Sequence, residues 1–361
     1  MAQQIPAGLG APAGERGFGA TAWNRVLRIV SRNARMVAPL STLVALFVFF
    51  SLVTDVFLTT RNLQNVVSQI GPVAVAACGV TFVLLCAEID LSIASVATFT
   101  GILAAYIFGN AWSVDVLGVG ITLDLGVWGV LVAAVVAAAI GLLNGFFVAY
   151  VGIPSFMMTL AMLTIALGFA EFVTKGRILP EASVPGELQD LAGAGNRLFG
   201  IPVIGLVALA VLIVSDVVLS YTKFGRYVYM TGGNREAAEM SGVNTRQIIM
   251  FSLMISGLTA GLAGMLFIGR LHSANPGAGA ELLIRTIAAV VLGGTSLFGG
   301  EGGIKNTFIG LLIFGILSNG LNLIEGLSIH FKDALEGIIL VGALLLNVVA
   351  LRLERVRTQA E

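Results

Sequence analysis

The sequence predicts an all-α polytopic membrane protein with about ten transmembrane helices, and three observations carry that reading. Hydrophobic residues make up 57% of the 361, and a further 45 are glycine; soluble domains hold about 45–50% in that combined set. Charged residues are 11%, where a soluble composition carries about 25%. The mean hydropathy of +0.97 is spread over the chain as long apolar runs rather than confined to one anchor.

A window of about 19 residues crosses about 30 Å of hydrocarbon. Sliding it along the chain gives spans near 36–57, 65–87, 91–109, 127–150, 155–174, 201–221, 246–269, 283–300, 304–324 and 334–352. The first, built on VAPLSTLVALFVFFSLV, contains no charge. Only Glu88, Ile89 and Asp90 separate the second from the third, which leaves room for one of that pair to be tilted, broken or re-entrant. The eighth ends in LGGTSLFGGEGG, where a helix is poorly supported unless buried among neighbours. Residues 1–35 form a basic tail with Arg25, Arg28, Arg32 and Arg35, residues 36–352 the membrane domain, and residues 353–361 a short second tail. The tail at the start lacks the apolar core of a cleavable signal peptide; it reads equally as a basic helix on anionic headgroups or as a solvated segment that fixes topology.

Lysine and arginine collect in cytoplasmic flanks. With both termini inside, thirteen of them fall on the cytoplasmic side and seven outside. His272 and His330 then lie in outer loops. Spans two to five and seven to ten are of matched size, which admits an inverted 5+5 repeat, although no residue-level match between the halves stands out.

The zero net charge gives no case for binding nucleic acid. Cys78 and Cys86 share one apolar run and read as small core residues, with no metal site. The nearest approach to a phosphate loop, GGEGGIKN, has Ile304 before Lys305 and Asn306 where Ser or Thr should follow. No catalytic residues are assigned, and the chain itself is expected to hold no cofactor. Glu88, Asp90, Glu171 and Asp216 sit near span ends, which argues against an ion-coupled pump with a charge at mid-membrane.

Small residues are spaced for close helix contact, as in Gly141 with Gly145 and Gly257 with Gly261. Polar residues within or beside the spans, among them Ser92, Ser95, Asn144, Asn319, Asn322 and the corner residue Asp90, are candidates to line a path for a neutral hydroxylated solute. The same groups are equally able to cross-link helices by hydrogen bonds.

The longest cytoplasmic connection, 222–245, is the most patterned. Asn234 is a good N-cap, Glu236 sits in the first turn where the helix dipole favours an acid, and Gly242 suits the left-handed position past a C-terminus. This spacing predicts a short helix from Arg235 to Ser241. Ala237, Ala238 and Ser241 would form a small-residue face able to enter a groove on another protein, with Arg235, Glu236 and Glu239 around it.

Four blocks in order resemble the membrane permeases of ribose-type ABC importers over about residues 40–350. They are EIDLSIASVATFTGILAA at 88–105, NGFFVAYVGIPSFMMTLAMLTIALG at 144–168, FGRYVYMTGGNREAAEMSGV at 224–243 and AAVVLGGTSLFGGEGGI at 288–304. Glu88 departs from the pattern, since many relatives have glycine there. The resemblance implies a type II-like ABC importer permease fold and a bacterial inner-membrane location. It implies a pair of permease copies around a central path, ABC ATPase subunits that hold ATP and magnesium, and a periplasmic sugar-binding protein. It also implies that the 234–242 helix couples to the ATPase, carried over onto Gly233, Asn234, Ala237, Ala238, Ser241 and Gly242. A monosaccharide or polyol is the expected solute; the competing reading is a facilitator or secondary transporter working alone.

Overall fold

The computed structural model describes residues 34–342, except 110–111, 117–118, 124–127, 179–183, 185, 194, 327 and 329, together with 345. The predicted tail at 353–361, and all of the tail at 1–35 except Ala34 and Arg35, lie outside the described residues. Nine of the predicted spans correspond to named helices. These are α1 (Ala34–Val53), α2 (Thr60–Leu85), α3 (Ile93–Gly109), α4 (Trp128–Phe146), α5 (Ser155–Thr174), α7 (Val203–Tyr221), α10 (Thr245–Leu271), α11 (Gly279–Leu292) and α12 (Ile304–Leu323). A further helix runs over 330–342. Three short helices were outside the span count: α6 (Gly186–Ala192), α8 (Lys223–Gly233) and α9 (Arg235–Met240).

Among the described residues, six helices are long and apolar enough to cross a membrane: α2, α4 with its extension to Val151, α5, α7, α10 and α12. The third and eighth spans are shorter than predicted crossings. α3 ends after 17 residues, and α11 after 14. The eighth was expected to reach residue 300; it stops at 292 because Gly294, Gly299, Gly300, Gly302 and Gly303 all take positive φ, which no helix interior accommodates. The all-α bundle also carries two short hairpins. Trp112–Val116 pairs antiparallel with Val119–Leu123 as β1 and β2, and Arg197–Leu198 with Ile201–Pro202 as β3 and β4.

α2 and α10 form the centre. α10 packs against α2, α3 and α4, while α2 also meets α7, α11 and α12. Lipid chains are as apolar as leucine, so burial of apolar surface does not by itself hold membrane helices together; close backbone approach and interhelical hydrogen bonds do. The glycine pairs supply that approach. A Cβ on Gly145 would lie 2.6 Å from the Met250 carbonyl oxygen, and one on Gly257 2.5 Å from that of Ala137, so α4 and α10 touch backbone to backbone. Outward faces are apolar and exposed, as at Val135, Phe169, Phe172 and Val214, which suits contact with hydrocarbon. α4 leaves its register as a π-helix over Phe147–Val151 and ends at Gly152 with φ of 85°.

Candidate functional site

Three segments from distant parts of the sequence converge at one end of the bundle: the corner 85–92, the 222–245 connection and the glycine loop 293–303. The corner is non-helical, so its backbone groups need partners if it lies at membrane depth. It has them. The amides of Ile89 and Leu91 donate to Ser155 Oγ and Thr159 Oγ1, each at 3.1 Å. Pro154 precedes Ser155 and starts α5 there, which sets both hydroxyls one turn apart on the face turned to the corner.

Asp90 is buried and accepts three hydrogen bonds. The Ser92 amide and hydroxyl donate to Oδ1 at 2.9 and 2.6 Å, and the Ser256 hydroxyl donates to Oδ2 at 2.7 Å. One carboxylate thereby joins the corner, the start of α3 and the middle of α10. Asn144 of α4 extends the network by donating from Nδ2 to Ser92 Oγ at 3.1 Å. Its Oδ1 is buried and has no hydrogen-bond partner. Ser95 closes the turn by donating to the Ser92 carbonyl at 2.9 Å.

Asn234 caps α9 as the sequence predicts, accepting from the Ala237 amide at 3.0 Å, and Gly242 has φ of 82°. The face presented by α9 differs from the expected one. Ala238 is buried, 2% exposed, because the helix turns 235, 238 and 239 toward its own chain. Arg235 donates to Glu88 Oε1 at 2.5 Å, and Glu239 Oε1 accepts from Thr245 Oγ1 at 2.5 Å. Ala238 therefore packs against its own chain, at the seat of the helix. Glu236, Ala237, Met240 and Ser241 point away, with Met240 83% exposed. Gly233, Asn234 and Gly242 are exposed at the two ends.

The glycine loop completes the junction. The Gly300 amide donates to the Leu85 carbonyl at 3.0 Å, and a Cβ on Gly300 would fall 2.7 Å from Gly233 Cα. The Tyr229 hydroxyl of α8 donates to the Gly302 carbonyl at 2.8 Å. Burial, followed by the nearby Asp216 carboxylate, raises the Tyr229 phenol above its ordinary pKa, so it stays a protonated donor.

Of the six polar path candidates, Asp90, Ser92, Ser95 and Asn144 share one buried network. Asn319 is elsewhere: its Oδ1 accepts from Asn62 Nδ2 at 2.9 Å. Asn322 is exposed, and its carbonyl accepts from Lys332 at 3.1 Å. The Glu88–Arg235 pair, Ser155 on the corner and exposed Met240 escaped the sequence reading. Only Ser155 carried a local signal, following Pro154 at a helix start.

A bundle of apolar helices with a non-helical corner at one end, and a short projecting helix bonded to that corner, fits a polytopic membrane permease. The chain belongs to the family described as branched-chain amino acid transport system / permease component, which matches residues 62–344. It is 37% identical to the ribose import permease protein of Escherichia coli over 315 residues, covering 85% of this chain and 92% of that one. It is 34% identical to the ribose import permease protein of Bacillus subtilis, covering 86% and 91%. With the D-allose transport system permease protein of Escherichia coli the identity is 32%, covering 83% and 87%. No solved structure matches the chain.

Proposed function

We propose that this chain is the membrane-spanning subunit of an ATP-driven ABC importer for a neutral monosaccharide or polyol. The observation that carries the reading is its 34–37% identity, over most of both chains, to permeases named for ribose import. Solute would be delivered by a periplasmic binding protein, and ATP and magnesium would be held by a separate ATPase.

In this reading α9 is the coupling helix. Glu236, Ala237, Met240 and Ser241 enter a groove on the ATPase, while Arg235, Ala238 and Glu239 fix the helix to the membrane domain. A push on α9 reaches the corner through Arg235 and Glu88, then α10 and α4 through Asp90, Ser256, Ser92 and Asn144. Bistable movement of this packed unit is how a small displacement at one end would alter access along the bundle. Orientation follows: the junction and both termini face the cytoplasm, in a bacterial inner membrane. Two copies would enclose the path. Asn144 is the path candidate with a spare acceptor, and a solute hydroxyl or a water would satisfy it.

The matched order of a long central helix, a break in the α-helix and a shorter helix, α2 to α3 and α10 to α11, supports an inverted repeat. Counting α1, α3, α11 and the 330–342 helix as partial crossings supports ten spans.

The test is ATP hydrolysis by the purified permease–ATPase complex in nanodiscs, with the binding protein loaded in turn with ribose, other neutral sugars and polyols. Stimulation by one loaded form supports the importer and identifies its solute. Flux through this chain alone in liposomes would replace it with a facilitator.

A further inference from the structure

The glycine loop presents an apolar tip that the coupling reading does not use. Leu297 is 46% exposed and Phe298 90% exposed. The tip is held out by a closed set of hydrogen bonds. Ser296 N donates to the Glu301 carbonyl at 2.9 Å, Phe298 N to Ser296 Oγ at 3.1 Å, and Gly303 N to Thr295 Oγ1 at 3.4 Å. Gly299 and Gly300, with φ of 86° and 69°, turn the chain back directly after the phenylalanine. These conformations strain any residue with a Cβ, so the loop has little freedom to fold the ring inward.

A rigidly presented aromatic ring with nothing against it is a common anchor of protein interfaces. What it meets is indicated by where it is rooted. Gly300, two residues after Phe298, touches Gly233 at the base of α9 and bonds Leu85 at the end of α2. The tip and α9, which carries the exposed Met240, are therefore rooted in the same junction. We infer that Phe298, with Leu297, is a second docking element for the partner ATPase beside α9, seated in an apolar pocket of that subunit. This rests on the coupling reading of α9. Two separately sequenced elements bound to one partner would make that partner's movement bear on the corner from both sides, through Arg235 and through the Gly300–Leu85 bond.

The occupant to be distinguished is the lipid headgroup region, where aromatic rings also settle. Cys78 and Cys86 are both buried, so a thiol placed at the tip labels selectively. Phe298→Cys and, separately, Met240→Cys would carry an environment-sensitive fluorophore in nanodiscs, with the ATPase added and with spin-labelled lipids as quenchers. The expected result is a blue shift at both positions on adding ATPase, with no lipid quenching at position 298. A shift at 240 without one at 298 overturns the inference and leaves the coupling helix standing. Quenching at 298 by labelled lipid, unchanged by ATPase, assigns the tip to the membrane and also overturns it. No shift at 240 with the ATPase bound removes the coupling reading and this inference with it. In parallel, Phe298→Ser is expected to weaken ATPase association about tenfold with unchanged thermal stability of the isolated permease; undiminished association would overturn the inference.

Discussion

Arg235, the first residue of α9, donates to Glu88 at 2.5 Å across 147 positions of sequence. The Glu88 side chain is 11% exposed against 47% for that of Arg235. The corner and the projecting helix are thus two ends of one contact. Half-exposed pairs contribute about 1 kcal/mol, enough to bias a movement without locking it.

We predict that Arg235→Glu lowers solute-stimulated ATP hydrolysis several-fold while the complex still assembles. The double change Glu88→Arg with Arg235→Glu should recover part of that loss, because the pair re-forms in reverse. Additive damage in the double variant would show that the contact transmits nothing.

Asp90→Ala is predicted to lower folded yield and thermal stability more than it alters solute preference. It leaves the Ser92 amide and the Ser92 and Ser256 hydroxyls without their acceptor, at a cost of about 2–5 kcal/mol. Thermal unfolding in detergent and competition uptake measure the two quantities. Wild-type stability with a changed preference would instead place Asp90 in contact with solute.

Ala238→Arg and Met240→Glu should fail in different ways. The first forces a charged chain into the seat of α9 and is expected to destabilise the isolated permease by about 3 kcal/mol or more. The second alters an exposed side chain and should leave stability unchanged while reducing ATPase co-purification. The opposite pattern would mean that α9 is turned the other way.

Gly232→Ala is predicted to disturb the junction, since a Cβ there overlaps the Leu85 carbonyl oxygen and lies 2.9 Å from the Gly300 amide. Gly168→Ala on α5, where a Cβ meets nothing within 4 Å, should be neutral or stabilising by up to about 1 kcal/mol. Equal effects from the two, measured as folded yield and thermal stability, would refute the close approach at position 232.

Apolar run length and local spacing determined much of this protein by themselves. Spans such as 155–174 and 304–324 are nearly coincident with α5 and α12, because about 20 apolar residues in lipid have few alternatives to a helix. Asn234, Glu236 and Gly242 specify α9 through capping and a left-handed turn, which depend only on neighbours in sequence. Which side of α9 faces inward was decided by tertiary contacts. Ala237 and Ala238 are alike as residues, and only the positions of Glu88 and Thr245 separate them. The same holds for the polar residues. Serine and asparagine in a span are equally suited to lining a path or joining helices, and only the packed geometry shows that Asp90, Ser92, Asn144 and Ser256 bond to one another. Hydrogen bonds between residues 50 to 170 positions apart have no local signature, so that network existed only once α3, α4 and α10 were packed together.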